Sequence, residues 1–194
     1  MHATHLLADA ELIHLYQNGH SYALEQLITR YKDKVYTAIY MIVKDKYLAE
    51  DIFQDTFLKI IRTIKGGQYA EQGKFLPWAM RVAHNLCMDH FRKSRKNIPV
   101  TLPDGRDISD LISLTTNNAA DQMEQRQTNA SVRQLIENLP EEQREVLTLR
   151  MYGELSFKEI AALSGVSINT ALGRMRYALI NLRKMIDEQQ LVLR

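Results

Sequence analysis

The sequence has a single cysteine, Cys87, in 194 residues. One thiol excludes an intramolecular disulfide framework and any Cys-rich zinc site. No apolar run approaches the roughly 18–20 residues that cross a bilayer. The opening MHATHLLADAELIH has no basic start and no apolar core followed by small residues, so it does not read as a signal peptide. With 4 prolines and 8 glycines there is little room for a turn-rich β fold. No phosphate-binding glycine loop, metal-ligand cluster or nucleophile setting stands out, so no enzyme, cofactor or metal is expected. These absences predict a chain of the reducing cytoplasm with no membrane insertion of its own.

What is present is ordinary globular composition, 45% apolar and 25% charged, enough for one domain or two small ones. The net charge of +2 hides an uneven distribution. Residues 1–98 carry 14 basic and 10 acidic side chains, 99–130 carry 2 and 5, and 131–194 carry 9 and 8. Two basic lobes around an acidic connector suit two modules that meet a polyanion.

Apolar spacing is helical nearly throughout. Asp9 is placed to cap a short helix carrying Leu12, Ile13, Leu15 and Tyr16, which Asn18-Gly19 ends. A long helix follows from Ser21, with apolar residues from Leu24 to Ile42. A third runs from about Leu48 to Lys65 and stops at Gly66-Gly67. A polar loop leads to a fourth that starts near Pro77 and reaches about Ser94. The pattern breaks in NIPVTLPDGRDISDLISLTTNNAA, which reads as a linker with one short amphipathic turn at Ile108–Leu114. Periodicity resumes near Asp121. Pro140, followed by Glu141 and Glu142, opens a helix, and two more run over about Ser156–Leu163 and Ser167–Glu188. The expected fold is all-α. Residues 1–97 form an N-terminal helical domain, 98–120 a flexible linker, and 121–194 a four-helix domain containing a helix-turn-helix.

In SFKEIAALSGVSINTALGRMRYALINLRKMI, Ser156 and Glu159 have capping-box spacing. Gly165 suits a turn with positive φ, Val166 plugs the core and Ser167 caps the second helix. That order builds a DNA-reading helix-turn-helix. At 100° per residue, Ile168, Ala171, Leu172, Met175, Ala178, Leu179, Leu182 and Ile186 share one arc, expected to be buried. Outside it lie Asn169, Thr170, Gly173, Arg174, Arg176 and Tyr177, and no acid occurs between Glu159 and Asp187. Such a face reads base edges and phosphates. Gly173 costs about 1 kcal/mol of helix propensity, which close approach of DNA would explain. The plain alternative is a hairpin whose polar face meets water.

On the third helix the buried arc comprises Ile52, Phe53, Thr56, Phe57, Ile60 and Ile64. Asp51, Gln54, Asp55, Leu58 and Arg62 lie opposite. Two carboxylates around an outward leucine suggest a protein-docking stripe, although single exposed leucines are common. The fourth helix, FLPWAMRVAHNLCMDHFRKSRK, holds five basic residues and one acid from Arg81 to Lys96, interleaved with Trp78 and Phe91. Cations beside aromatics grip phosphates and stack on unpaired bases, and the loop before it is placed to take a flipped base. Trp78 read alone is more readily a core residue than a ligand. His84 and His90 fall on no common face, and Cys87 reads as a small buried hydrophobe.

With these stretches in view, the chain resembles the small extracytoplasmic-function group of bacterial RNA polymerase sigma factors. AEDIFQDTFLKI (49–60) is similar to the family's core-binding helix and FLPWAMRVAHNLCMDHFRK (75–93) to its promoter-melting helix. Residues 139–179, from LPEEQREVL through the glycine turn to RMRYAL, are similar to its C-terminal helix-turn-helix. The resemblance implies that Asp51, Gln54, Asp55 and Leu58 dock on core RNA polymerase. It implies that Trp78, Arg81, Asn85, Asp89, Arg92 and Lys93 engage the minus-ten element of promoter DNA. The second helix, with Ser167, Asn169, Thr170, Gly173, Arg174, Arg176 and Tyr177, would read the minus-thirty-five element. An anti-sigma factor is an implied further partner. Leu172-Gly173 departs from the family, where many relatives carry a basic residue and a serine. A stand-alone helix-turn-helix regulator is the rival reading; the N-terminal lobe lacks the βα alternation of a receiver domain.

Overall fold

Asp45 starts the helix that organises the N-terminal lobe. Its carboxylate accepts the Leu48 N–H at 2.8 Å, satisfying one of the donors a helix start leaves open. The computed structural model describes residues 7–70, 73–96 and 132–188, with side chains described through Ser94 in the second stretch. Among them every regular element is a helix: α1 (Asp9–Gln17), α2 (Ser21–Val43), α3 (Lys46–Lys65), α4 (Phe75–Lys96), α5 (132–137), α6 (Glu141–Met151), α7 (Phe157–Ser164) and α8 (Ile168–Glu188). The all-α architecture expected from periodicity is therefore the observed one.

α2 is the spine. It packs on α1, α3 and α4 within the N-terminal lobe, and on α6 of the C-terminal lobe. Leu12, Leu27, Ile39, Ile60, Ile64 and Phe75 are fully or almost fully buried between these helices, each contributing on the order of 1.5–3 kcal/mol of apolar burial. Asn18 and Gly66 end α1 and α3, each with a positive-φ glycine next, Gly19 and Gly67. Asp9 differs from expectation. Ala8 is the N-cap of α1, its N–H donating to Glu11 at 2.8 Å. The Asp9 carboxylate instead accepts hydrogen bonds from Arg30 and Tyr31 of α2, both at 2.5 Å, because a charged partner from the neighbouring helix outcompetes a local cap.

In the C-terminal lobe α8 lies across α6 and α7. Ala171 and Ala178, both fully buried, let the helix axes approach closely. This narrows the buried arc of α8. Ile168, Leu172 and Leu179, expected inside, are 46%, 44% and 43% exposed, and Ile186 is half-buried. The expected linker and the Ile108–Leu114 turn lie outside the described residues.

Candidate nucleic-acid interface

The capping and turn chemistry of α7 and α8 places the helix-turn-helix. Ser156 Oγ accepts the Glu159 N–H at 3.3 Å, and Glu159 returns to the Ser156 N–H at 2.9 Å, so both halves of the capping box form. Gly165 ends α7 at φ +66°, a conformation that disfavours any side chain. Val166 packs into the core behind the turn. Ser167 caps α8 by accepting the Thr170 N–H at 3.0 Å, and its hydroxyl also meets that of Thr170 at 2.9 Å.

Asn169, Thr170, Arg176 and Tyr177 of α8 are exposed, while Gly173 and Arg174 are partly covered. Thr170, Gly173, Arg174 and Tyr177 line a shallow depression with Glu142 and Gln143 of α6. A Cβ built on Gly173 meets nothing within 4 Å, so the residue is not required by packing. Leu172 stands on the same solvent side as Asn169 and Arg176. The outward face is thus mixed polar, basic and apolar, a surface able to meet base edges, phosphates and thymine methyl groups. The apolar part was missed because periodicity alone cannot fix how wide a buried arc will be.

On α3, Asp51, Gln54, Asp55 and Leu58 are all exposed, Leu58 at 47%. Opposite them Ile52, Thr56, Phe57, Ile60 and Ile64 are buried as expected, together with Ala49, whereas Phe53 is only partly covered. On α4, Trp78, Arg81, Asn85, Asp89 and Arg92 fall within an arc of about 80° at 100° per residue, with Lys93 at its edge. Asn85, Arg92 and Lys93 are exposed. Arg92 donates to Asp89 one turn back. Trp78 is half-buried, its ring 4.4 Å from Tyr69 and 5.9 Å from Phe75. Tyr69, in the loop expected to be polar, folds inward onto this cluster. Cys87 is fully buried, and burial pushes its thiol up to about 12.

Two residues acquire partners that local sequence did not suggest. Arg81 donates to Glu159 of α7 at 2.5 Å. His84 is 2% exposed, with Nε2 2.6 Å from Glu145 of α6. The Ser164 hydroxyl donates to the same carboxylate at 3.0 Å. Burial pushes the Glu145 carboxyl up, but the His84 hydrogen bond and charge, Ser164 and Arg174 outweigh it, and the group lies below its ordinary range. Glu159 is also held low, chiefly by its hydrogen bonds to Ser156. Among the described residues no three His, Cys, Asp or Glu side chains converge as a metal site, and no helix is long and apolar enough to cross a membrane.

A capped helix-turn-helix joined to a helical lobe with a basic, aromatic stripe defines a transcription factor of the nucleic-acid-binding class. Comparison with known proteins makes this specific. Residues 27–97 match the family model for sigma-70 region 2, and residues 129–177 match that for sigma-70 region 4. The sigma factor SigM of Bacillus subtilis is 30% identical over 145 residues, covering 74% of this chain and 83% of that one. BldN of Streptomyces coelicolor is 33% identical over 156 residues, covering 80% of this chain; the match spans 57% of BldN's length. Among solved structures, the sigma factor RpoE of Bartonella quintana, in complex with the anti-sigma factor NepR, shares the fold with a TM-score of 0.60 at 19% identity. That match covers 84% of this chain and 96% of RpoE. The chain belongs to the extracytoplasmic-function RNA polymerase sigma factors, which direct the polymerase in transcription initiation.

Proposed function

We propose a division of labour in which this chain supplies promoter recognition and core RNA polymerase supplies catalysis, so that the chain has no catalytic activity of its own. Asp51, Gln54, Asp55 and Leu58 dock on core polymerase. Trp78, Arg81, Asn85, Asp89, Arg92 and Lys93 engage and help to unstack the minus-ten element. Ser167, Asn169, Thr170, Gly173, Arg174, Arg176 and Tyr177 meet the minus-thirty-five element. Residues 1–97 and 121–194 are the two working domains, joined by 98–120. The chain acts in the cytoplasm, and an anti-sigma factor restrains it by covering these faces.

One observation carries this reading over that of a stand-alone regulator. The Asp51–Leu58 stripe is exposed along a helix whose other face packs into the core through Ala49, Ile52, Thr56, Phe57, Ile60 and Ile64, and an outward acidic, apolar stripe has no use in a protein that meets only DNA. The modest charge agrees: a free DNA binder needs a larger phosphate footprint than +2 supplies. The test is co-purification of the tagged chain with core polymerase, then run-off transcription on fragmented genomic DNA. Stable association with new start sites is expected. No association, with sequence-specific DNA binding by the free chain, would establish the stand-alone regulator instead.

A further inference from the structure

Among the described residues Leu172 joins neither apolar cluster. Its neighbour Ala171 is fully buried and Met175 packs against both clusters, whereas Leu172 is 44% exposed. Ile168, one turn earlier, is exposed to a similar degree. Single exposed leucines are common and by themselves mean nothing. What distinguishes Leu172 is its position.

At 100° per residue, Asn169 and Arg176 lie within about 20° of each other on the outward side of α8. Leu172 and Gly173 border that pair, one on each side, each about 40° from its nearer member. Asn169 and Arg176 are exposed, and α8 carries no acid before Asp187. Ser167 Oγ accepts the Thr170 N–H at 3.0 Å and so fixes where the helix begins. Leu172 is therefore continuous with the face proposed for the minus-thirty-five element.

Gly173 has open space where a Cβ would stand. With no side chain there, the α8 backbone can settle nearer the floor of a major groove than a bulkier residue would allow. That matters for a leucine, whose short side chain reaches a base edge only from a helix seated close. Leucine also has no donor or acceptor. The major-groove feature that rewards apolar contact is the C5-methyl of thymine. Cytosine would turn its N4 amino group toward a side chain unable to accept from it, leaving a donor unpaired. Residues one turn apart are about 6 Å apart along the helix axis, close to two base-pair steps of about 3.4 Å.

We propose that Leu172 is a specificity-determining residue, reading the C5-methyl of a thymine in the minus-thirty-five element about two base pairs from the base that Arg176 meets. The inference rests on the reading of α8 as the minus-thirty-five face and deepens it by naming the base.

The test uses holoenzyme and duplex promoter fragments whose minus-thirty-five element has been located by run-off mapping. Each thymidine of the element, on either strand, is replaced in turn by deoxyuridine, which keeps the hydrogen-bonding edge and lacks only the methyl. One replacement should weaken binding by the parent about fourfold, the worth of one buried methyl group. Leu172→Ala, whose fold is safe because the side chain is exposed and alanine favours helix, should weaken binding to the thymidine fragment by a similar factor. It should then bind the thymidine and deoxyuridine fragments equally, since the two changes remove the same contact. At the same position 5-methylcytosine should bind the parent better than cytosine does, and Leu172→Ala should bind both alike.

A parent that loses no affinity at any thymidine would overturn the inference, and so would a Leu172→Ala chain as sensitive to deoxyuridine as the parent. Weaker association of Leu172→Ala with core polymerase, with the thymidine preference intact, would make Leu172 a protein contact and overturn it as well. The underlying reading fails on a different result. An Arg176→Ala holoenzyme with parental affinity for the fragment would show that α8 does not face the element, and the inference would fall with it. Lost affinity in Arg176→Ala beside an unchanged thymidine preference in Leu172→Ala would overturn the Leu172 assignment alone.

Discussion

His84 of α4 and Glu145 of α6, 61 residues apart in the chain, meet at 2.6 Å across the boundary between the lobes, and the histidine is 2% exposed. The other ring nitrogen, Nδ1, is buried with no hydrogen-bond partner among the described residues. The imidazole therefore depends on one carboxylate. Glu145→Ala leaves a buried polar ring wholly unpaired and should cost about 1–3 kcal/mol. Glu145→Ala with His84→Leu should recover most of that loss, because replacing both partners by apolar groups removes the unmet demand. Chemical denaturation of the four proteins of this cycle checks it. A double variant no more stable than Glu145→Ala would show that the pair does not act as a unit.

The pH dependence follows from two carboxylates held below their ordinary value of 4.5, Glu145 and Glu159. A depressed carboxyl adds stability that is fully present above its unfolded pKa and is lost as pH falls through the folded one. Inter-lobe stability should thus be flat from neutrality to about pH 5 and fall below about pH 4.5. Thermal melts across that window measure it. Glu159→Gln should reduce the acid-sensitive part, and an identical acid profile in that variant would remove Glu159 from the account.

Gly153→Ala should destabilise the protein by about 1–3 kcal/mol through overpacking. The new Cβ would stand 2.6 Å from Leu155 Cδ1, 2.7 Å from the Leu149 carbonyl oxygen and 3.1 Å from Met80 Cγ. Leu155 can shift; the carbonyl, inside α6, cannot. A melting temperature equal to the parent's would mean that the 152–155 turn relaxes freely.

Local chemistry made the helix-turn-helix readable from residues alone. Ser156 with Glu159, Gly165 and Ser167 each act on neighbours within four positions, so spacing determines them. The stripes on α3 and α4 were readable for a similar reason, since one helix presents both faces in a fixed 3.6-residue order. Asp9, His84 and Met41 were not. Each is decided by a partner on another helix, and for His84 and Met41 that partner lies in the other lobe. Leu172 shows a different limit: the sequence gives the direction of the buried arc on α8, but Ala171 and Ala178 set how close α6 comes and hence how narrow the arc is.

Gly173→Ala separates a packing role from a DNA role. Open space surrounds the position, so alanine should raise stability by about 0.5–1 kcal/mol through helix propensity. The added methyl would stand between α8 and any closely approaching backbone, so minus-thirty-five binding by the holoenzyme should weaken. A more stable protein with unchanged promoter affinity would mean that DNA does not approach α8 at this residue.

Asp51→Ala with Asp55→Ala tests the docking stripe. Both side chains are exposed, and neither has an ion-pair partner among the described residues, so stability should change by no more than about 0.5 kcal/mol. An interface centred on them should lose well over tenfold in affinity for core polymerase, since each factor of ten is about 1.4 kcal/mol and interface hot spots commonly exceed that. The contrast is what gives the test its force. A folded double variant that binds core as the parent does would move the docking surface off α3, while one that fails to bind yet still recognises minus-thirty-five DNA through α8 would show that the faces on α3 and α8 work separately.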